Sequence, residues 1–596
     1  MDDDTLARVF WNRVEKSADA PAHQFKTGGS WQILSWRRVG EIVREAALGL
    51  LVVGRQKGDA VALLSASRPE WVQADFAIFS AGCTTIPVYP SYTSEHLAYI
   101  VNDSGARTLI VEDPAQLAKA LEARAEMDHL EQIVVIQGYE GQDPSVLTWE
   151  GLRRLGRDQT KRLESVLADR IASTCPEDVA TIVYTSGTTG PPKGVVQTHG
   201  NHLATLRAAG QAATIGPGDL HLLFLPLAHS FARMESFLGP YLGLTTAFAE
   251  NLDKVAENLR EVRPHFICSV PRVFEKVYAK ILAGVAAGSP LKKRIFHWAL
   301  GVGRQVSQLQ QEKRPIPRGL ALKHRIAHRL VFTKLHQALG GRLRFANSGG
   351  APLSREIAEF FHAAGILVLE GYGLTETCPA LTFNRAERFK FGSVGQPLPG
   401  VELRIAPDGE ILARGANVAT HGYFKKPEAT AEAFTPDGWF HTGDIGQIDP
   451  AGFLFITDRK KDLIVTAGGM NIAPQNIENL LKSDPFVSQA MVVGDRRPYP
   501  VALITVNPEE LARFAKEQGI LLTDPASVAK HAKVIERVGR IVDAKNAHLQ
   551  SYAKIKKFAV LPADFSQERG ELTPTLKVKR KVVVEKYQDV IASLYA

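Results

Sequence analysis

The sequence predicts an α/β protein: a large N-terminal body of mixed, mostly parallel sheets with helices, a β-rich subdomain, and a smaller α+β unit at the C-terminus. Three observations predict it. Short apolar runs alternate with helix-like segments through the first two-thirds of the chain, short strands and tight turns take over after about Gly392, and 596 residues exceed what one compact module holds. The apolar runs are continuous rather than alternating, as burial on both faces of a parallel sheet requires.

In chain order, the runs AVALL (60–64), TLIV (108–111), IVVI (133–136), TIVY (181–184), FICSV (266–270) and ILVL (366–369) read as buried strands, with helical segments such as 41–53 and 255–262 between them. Residues 401–405, 410–414 and 453–457 read as strands of the β-rich subdomain. From about Asp458 a further unit begins: a strand at 463–466, a Gly-Gly turn, a helix at 475–482, strands at 489–493 and 501–506, a polar helical stretch at 525–549 and a strand at 558–561. The expected division is therefore 1–457 and 458–596, with no internal repeat.

Composition narrows the function classes. Hydrophobic residues are 45% and charged residues 22%, as in soluble globular proteins. Cys83, Cys175, Cys268 and Cys378 lie far apart without a CxxC pair, which argues against a disulfide framework or zinc module and for a reducing, cytoplasmic setting. The N-terminus MDDDTLARVFW is acidic and lacks the apolar stretch of a secretory signal, the most apolar stretch (222–248) is interrupted by His229, Arg233 and Glu235, and the end SLYA is not a peroxisomal address. Net charge is +8, but residues 292–344 carry thirteen Lys/Arg against the single acid Glu312, net +12, so the rest of the chain carries about −4. That basic insertion reads either as a solvated helical excursion or as a surface for anionic lipid or ligand phosphates, which leaves peripheral contact with the inner membrane face open. No nucleic-acid fold signature accompanies it, so nucleic acid is not an expected partner. A homodimer is left open.

The most informative string is Tyr184-Thr-Ser-Gly-Thr-Thr-Gly-Pro-Pro-Lys-Gly-Val195, which follows an apolar strand and is expected to precede a helix. Gly187, Gly190 and Gly194 permit close backbone approach, Thr185, Ser186, Thr188 and Thr189 supply hydroxyls, and Lys193 supplies a cation; together they suit a polyphosphate. It is not a Walker A loop, because Gly194 follows the lysine where Ser or Thr would be needed.

This string resembles the signature loop of the adenylate-forming superfamily of acyl-CoA synthetases, luciferases and adenylation domains, and further motifs keep the resemblance in order from about Phe10 to Lys586. In Leu225-Pro-Leu-Ala-His-Ser-Phe231 the resemblance places His229 by the acyl carboxylate; alone, such a histidine reads as well as a packed core residue. Asn347-Ser-Gly-Gly-Ala-Pro-Leu353 resembles the loop flanking adenine, with Gly349, Gly350 and Ala351 against the base. Gly371-Tyr-Gly-Leu-Thr-Glu-Thr377 resembles the next nucleotide motif. It implies Tyr372 and Gly373 at adenine, Thr375 at phosphate and Glu376 on magnesium, a role in which Thr185 joins it. Trp439-Phe-His-Thr-Gly-Asp-Ile445 implies that Asp444 accepts the ribose hydroxyls. Asp458-Arg-Lys-Lys-Asp462 resembles the junction to a mobile lid, with Arg459 on ribose and Lys461 as pivot. Ala467-Gly-Gly469 resembles the turn whose Gly468 and Gly469 line a tunnel for CoA. Leu572-Thr-Pro-Thr-Leu-Lys577 resembles the loop whose lysine, Lys577 rather than Lys579, drives adenylation. Two positions depart from the pattern: Val465 stands where some relatives carry a second lysine, and Met470 where a basic residue is expected.

The resemblance implies ATP, Mg2+ and CoA as co-substrates and a fatty acid as the acyl donor. It is closest to bacterial long-chain fatty-acid–CoA ligases through Ile86-Pro-Val-Tyr-Pro90, Tyr99-Ile-Val-Asn-Asp-Ser-Gly105, Ser269-Val-Pro-Arg-Val-Phe-Glu-Lys276 and the basic insertion. An apolar tunnel along 231–248 and an ordinary core segment are both consistent with that stretch. Medium-chain or aryl acid–CoA ligases, a fatty-acyl-AMP ligase and a catalytically silent nucleotide- or lipid-binding protein remain open at this point.

Overall fold

The computed structural model describes residues 3–185, 191–212, 214–467, 470–521, 524–573 and 577–596. The expected α/β architecture is observed. A seven-stranded sheet runs in the order Val146–Thr148, Gln132–Val135, Thr108–Val111, Ala60–Leu64, Thr84–Val88, Val179–Thr185, Lys193–Thr198, parallel except for the last strand. Its inner strands are buried along their whole length, as their unbroken apolar runs require. A nine-stranded sheet has a parallel centre formed by Leu367–Tyr372, Phe345–Ser348, Phe266–Ser269, Leu220–Leu223 and Thr245–Phe248. Helices Trp36–Val52, Pro69–Ser80 and Ser230–Leu242 feed one continuous core that draws on both sheets.

The β-rich subdomain is a four-stranded antiparallel sheet, Val401–Ile405, Glu410–Gly415, Phe440–Ile448 and Leu454–Arg459. The C-terminal unit packs helices Pro474–Lys482 and Ala532–Asn546 around the strands Val487–Val493, Val501–Val506 and Lys557–Val560, with its own core of residues such as Ile477, Leu481, Val492, Ile504 and Val538.

One expectation is corrected. The string after the phosphate motif is a strand, not a helix: Lys193–Thr198 runs antiparallel to Val179–Thr185, with Thr185 opposite Lys193. Its valines favour a pleated, buried strand. Its outer edge is held by 422–424, where Val196 N donates to Gly422 O at 3.0 Å and Phe424 N to Gly194 O at 2.7 Å. A helix starts only at His199. The stretch 231–248 contributes to the core: Phe237 on helix Ser230–Leu242 meets Phe76, Phe79 and His202 edge-on or tilted. The basic insertion is helical, built of Pro290–Gln311, Arg318–Ala327 and Thr333–Ala338 with a wide turn at His328–Phe332. No helix among the described residues is long and apolar enough to cross a membrane.

Candidate active site

The site forms where parallel strands of the two sheets end and the C-terminal unit closes over them, the position at which open α/β sheets leave a crevice. Strand Phe345–Ser348 delivers the 347–353 loop. Gly350 there has φ +79°, open to glycine and disfavoured for other residues, and Gly349 lies against the Phe231 ring. Beside it, strand Leu367–Tyr372 runs into 373–377. Gly373 is required by close packing, since a Cβ would stand 1.8 Å from Pro379 O. Glu370, buried beneath this loop, accepts Leu353 N at 3.0 Å and ties the two adenine-motif loops together; burial pushes its carboxyl up to about 8.

Tyr372 and Asp444 meet directly: the phenol donates to Asp444 Oδ2 at 2.6 Å. Strand pairing sets Asp444 opposite Arg459, whose Nε lies 3.2 Å from Asp444 Oδ1. Burial raises the Asp444 carboxyl, and Arg459 and the Tyr372 hydroxyl oppose that shift. The result is a preformed acceptor fork, oriented from both sides, suited to a vicinal diol.

Glu376 sits in a single turn, Thr375–Thr377, pinned by the Gln197 amide on Thr375 O and by Ala419 N on Glu376 O at 2.8 Å. Its Oε1 accepts the hydroxyl of Tyr423 at 2.8 Å. The Tyr423 ring in turn lies 5.3 Å from Lys193 Nζ, a cation–π arrangement. Tyr423 therefore joins the lysine of the phosphate motif to the carboxylate expected on magnesium. Sequence reading missed it; the only signal was the aromatic in Gly422-Tyr-Phe-Lys-Lys, which any loop supplies. Among the described residues no group of three or more His, Cys, Asp or Glu gathers to hold a metal. Glu376, with one oxygen left over, is instead a partial hard-oxygen ligand of the kind that Mg2+ completes with substrate phosphates.

His229 caps helix Ser230–Leu242, its Nδ1 accepting Phe231 N at 3.2 Å. Burial lowers its imidazole to about 4, with nearby Lys577 acting in the same direction, so it is neutral at physiological pH. Lys577 comes from the far end of the chain. It reaches the cleft with Arg459, Asp444 and Glu376 around it, crowded by protein yet still wetted. Crowding, helped by Arg459, lowers its ammonium to about 8, and Asp444 and Glu376 pull the other way.

The structure thus gathers His229, Glu376, Asp444, Arg459 and Lys577, with Tyr372, Tyr423 and Lys193 tied to them. Thr185 stands at the end of its strand, with its hydroxyl 3.4 Å from Lys193 O. Lys461 is exposed in the turn after Arg459. The candidates Ser186, Gly187, Thr188, Thr189, Gly190, Gly468 and Gly469 lie outside the described residues. Val465, on the strand Ile464–Val465 that pairs with Asn471–Ile472, and Met470, just before that partner strand, are each about two-fifths exposed. A separate open groove between helix His199–Ala212 and 398–401 holds none of these residues.

Comparison with known proteins agrees with this geometry. Residues 10–424 match the family of AMP-binding enzymes, and residues 461–596 match the AMP-binding enzyme C-terminal domain. The chain is 38% identical to the long-chain-fatty-acid–CoA ligase FadD15 of Mycobacterium bovis, over 99% of this chain and 97% of that protein. It is 33% identical to the long-chain-fatty-acid–CoA ligase ACSBG2 of Xenopus laevis, over 99% of this chain and 84% of the relative. Among solved structures, the anthranilate CoA ligase AuaEII in complex with anthranoyl-AMP superposes with a TM-score of 0.75 at 20% identity, covering 99% and 98% of the two chains. A Mycobacterium tuberculosis fatty acyl CoA synthetase gives 0.62 at 22% identity, covering 98% of this chain and 99% of that one. These two likenesses concern the fold. The family match over both units and the full-length relatives together establish that this chain belongs to the AMP-binding, adenylate-forming enzymes.

Proposed function

We propose that the protein is a long-chain fatty-acid–CoA ligase, converting fatty acid, ATP and CoA to acyl-CoA, AMP and pyrophosphate through an acyl-adenylate. The observation that carries the reading is the convergence of Lys577, from the C-terminal unit, with Glu376, Asp444, Arg459 and His229 of the body and junction. A carboxylate is a poor acyl donor because its leaving group is oxide. Attack on the α-phosphate replaces that leaving group with AMP, and the transition state spreads negative charge over phosphoryl oxygens. Preorganised cations lower that barrier. Lys577 and Lys193 supply them, Asp444 and Arg459 hold the ribose, and Tyr372 flanks adenine. Glu376 and Thr185 would hold Mg2+, which when bound neutralises phosphate charge. Neutral His229 orients the fatty-acid carboxylate without adding charge.

In this reading residues 458–596 form a lid that turns about Lys461 between half-reactions, because Lys577 occupies the space through which the CoA thiol must reach the adenylate. The turn carrying Gly468 and Gly469 then lines the CoA tunnel. A small apolar cavity of about 20 Å³ bordered by Phe224, Leu259, Val273, Phe274, Val277 and Phe361 has room for about one water molecule, so a long acyl chain would need this region to open. Exposed Leu291, Trp298, Leu322 and Leu330 on the basic helices support peripheral contact with an anionic inner membrane face from the cytoplasm.

The test is product mass spectrometry with Mg-ATP and acids from acetate to oleate, with and without CoA. Acyl-CoA peaking at long chains is the expected result. Acyl-AMP that accumulates despite CoA would replace this reading with a fatty-acyl-AMP ligase, the alternative that Val465 and Met470 favour.

A further inference from the structure

The C-terminal unit is tied to the body along one helix, Pro271–Ala286, and the ties centre on its second residue. Arg272 Nη1 donates to Ser488 O at 2.6 Å and Nη2 to Ser488 Oγ at 2.8 Å, with Asp564 Oδ2 3.5 Å away. The receiving groups are themselves fixed: Ser488 Oγ donates to the same Asp564 oxygen at 2.5 Å, and the Thr505 hydroxyl holds the other. One turn on, Glu275 accepts Lys482 Nζ at 3.5 Å and lies 3.7 Å from Arg272 Nη1. Farther along, Arg513 reaches Ala283 O at 3.5 Å. Positions 272, 275 and 283 share one face of the helix, and Val273, Phe274 and Val277 face the apolar cavity on the other side. Arg272 is only about a quarter exposed, and its guanidinium fork engages a backbone carbonyl and a hydroxyl of Ser488 on strand Val487–Val493 and the carboxylate of the 564 loop.

We propose that Arg272 is the positioning residue that latches the lid in the adenylating arrangement. The residue touches neither nucleotide motif. It acts on the reaction by holding Ser488 and Asp564, and with them the lid that carries Lys577, over the cleft. Every contact it makes across the interface belongs to this arrangement, so a lid turned for the CoA step has to release it. Loss of the latch therefore lowers the population poised for adenylation and leaves the thioester-forming arrangement untouched or enriched. This rests on the proposed exchange of the lid between half-reactions.

The test separates those half-reactions in the full-length protein. Adenylation is read as pyrophosphate release from Mg-ATP and palmitate without CoA. Thioester formation is read from synthetic palmitoyl-AMP and CoA without ATP. For Arg272→Ala, pyrophosphate release falls about tenfold, the scale of losing a charge-assisted hydrogen bond, and thioester formation holds at wild-type rate or rises. Arg272→Lys, which keeps charge without the fork, falls between. Asp564→Asn weakens adenylation, and combining it with Arg272→Ala adds less than the sum of the two. An equal fall in both half-reactions, or no fall in either, overturns the latch. Lys577→Ala tests the underlying reading separately. If that variant slows both half-reactions alike, lid exchange itself is wrong. If it slows adenylation alone and Arg272→Ala does not, only the latch is wrong.

Discussion

Arg233 and Asp75 form a fully buried ion pair one helical turn below His229, and breaking it should be the most destabilising single charge change near the site. Arg233 Nε lies 2.9 Å from Asp75 Oδ2 and Nη2 2.5 Å from Oδ1, a bidentate fork, and Nη1 donates to the Thr181 hydroxyl. Asp75 Oδ1 also accepts Thr85 Oγ1 at 2.7 Å. The guanidinium is 5.6 Å from the Trp71 and Phe237 ring centroids and 5.5 Å from that of Phe79. Arg233→Met keeps most of the volume but leaves Asp75 without a counter-charge in a site where burial already raises its carboxyl. Removing one partner of a buried pair costs about 3–5 kcal/mol, whereas replacing both is often nearly neutral. Against a typical total of about 5–15 kcal/mol, that loss alone brings the body close to unfolding. The pH sign follows. In the variant the folded-state pKa of Asp75 lies above its unfolded value, so stability is retained at low pH and lost as pH rises through the carboxylate range. Urea unfolding followed by tryptophan fluorescence, to which Trp71 beside the pair contributes, should show the full loss at pH 8, less at pH 5, and recovery of about 2 kcal/mol or more on adding Asp75→Asn. A loss under about 1 kcal/mol that is equal at both pH values would show the pair to be solvated and the reasoning wrong.

Lys577→Ala should slow adenylation by roughly 10²–10³-fold. In the wild type, kcat/KM for ATP should fall as pH rises through about 8, where the free enzyme's ammonium deprotonates, and Lys577→Arg should remove that limb. Tyr423→Phe keeps the ring over Lys193 but frees Glu376 Oε1. Manganese binding measured by electron paramagnetic resonance with a non-reactive ATP analogue should weaken about tenfold, with the alkaline limb unmoved. Asp444→Asn should raise KM for ATP roughly ten- to a hundredfold, the scale of one or two charge-assisted hydrogen bonds. The variant should discriminate little between ATP and 2′-deoxy-ATP, a comparison that steady-state kinetics reads directly.

Most of the candidate site was legible because polyphosphate chemistry demands unusual strings. A run such as 184–195 or 371–377 has no structural reason to recur by chance, and the resemblance those runs carry singles out Glu376, Asp444 and Lys577 as candidates before any fold is known. Residues whose role depends on a distant partner do not stand out. Tyr423 gains meaning only when strand Lys193–Thr198 pairs with 422–424 and brings it to Glu376, 47 residues away. Arg272 reads as one more charge at a helix start until Ser488, 216 residues on, meets it. Arg233 and Glu235 were read as interruptions of an apolar stretch. They are core residues: Arg233 pairs with Asp75, and Glu235 lies 2.9 Å from His221 Nδ1. The hairpin partner of Val179–Thr185 was misread because a glycine-rich phosphate loop suggests a helix behind it, although the paired valines 195 and 196 already favoured a strand.

The division of the site between two units has a physical logic. The body and junction hold carboxylates at Asp444 and Glu376, and the C-terminal unit contributes the ammonium of Lys577. In the free enzyme crowding lowers that ammonium to about 8, so it stays mostly charged near neutral pH but with less margin than a free lysine. ATP brings phosphate charge to the same place, which favours the protonated form and strengthens the hold on the lid. Once pyrophosphate leaves, most of that charge is gone and only the adenylate phosphate remains. On the proposed reading, the electrostatic reason for Lys577 to stay would then fade as the CoA thiol needs the space. A fixed lysine on the body would keep its grip through both steps. Placed on a lid, the same cation would be drawn in by the substrate and released by the product, and the proposed exchange of arrangements would follow from the charge balance of the reaction itself.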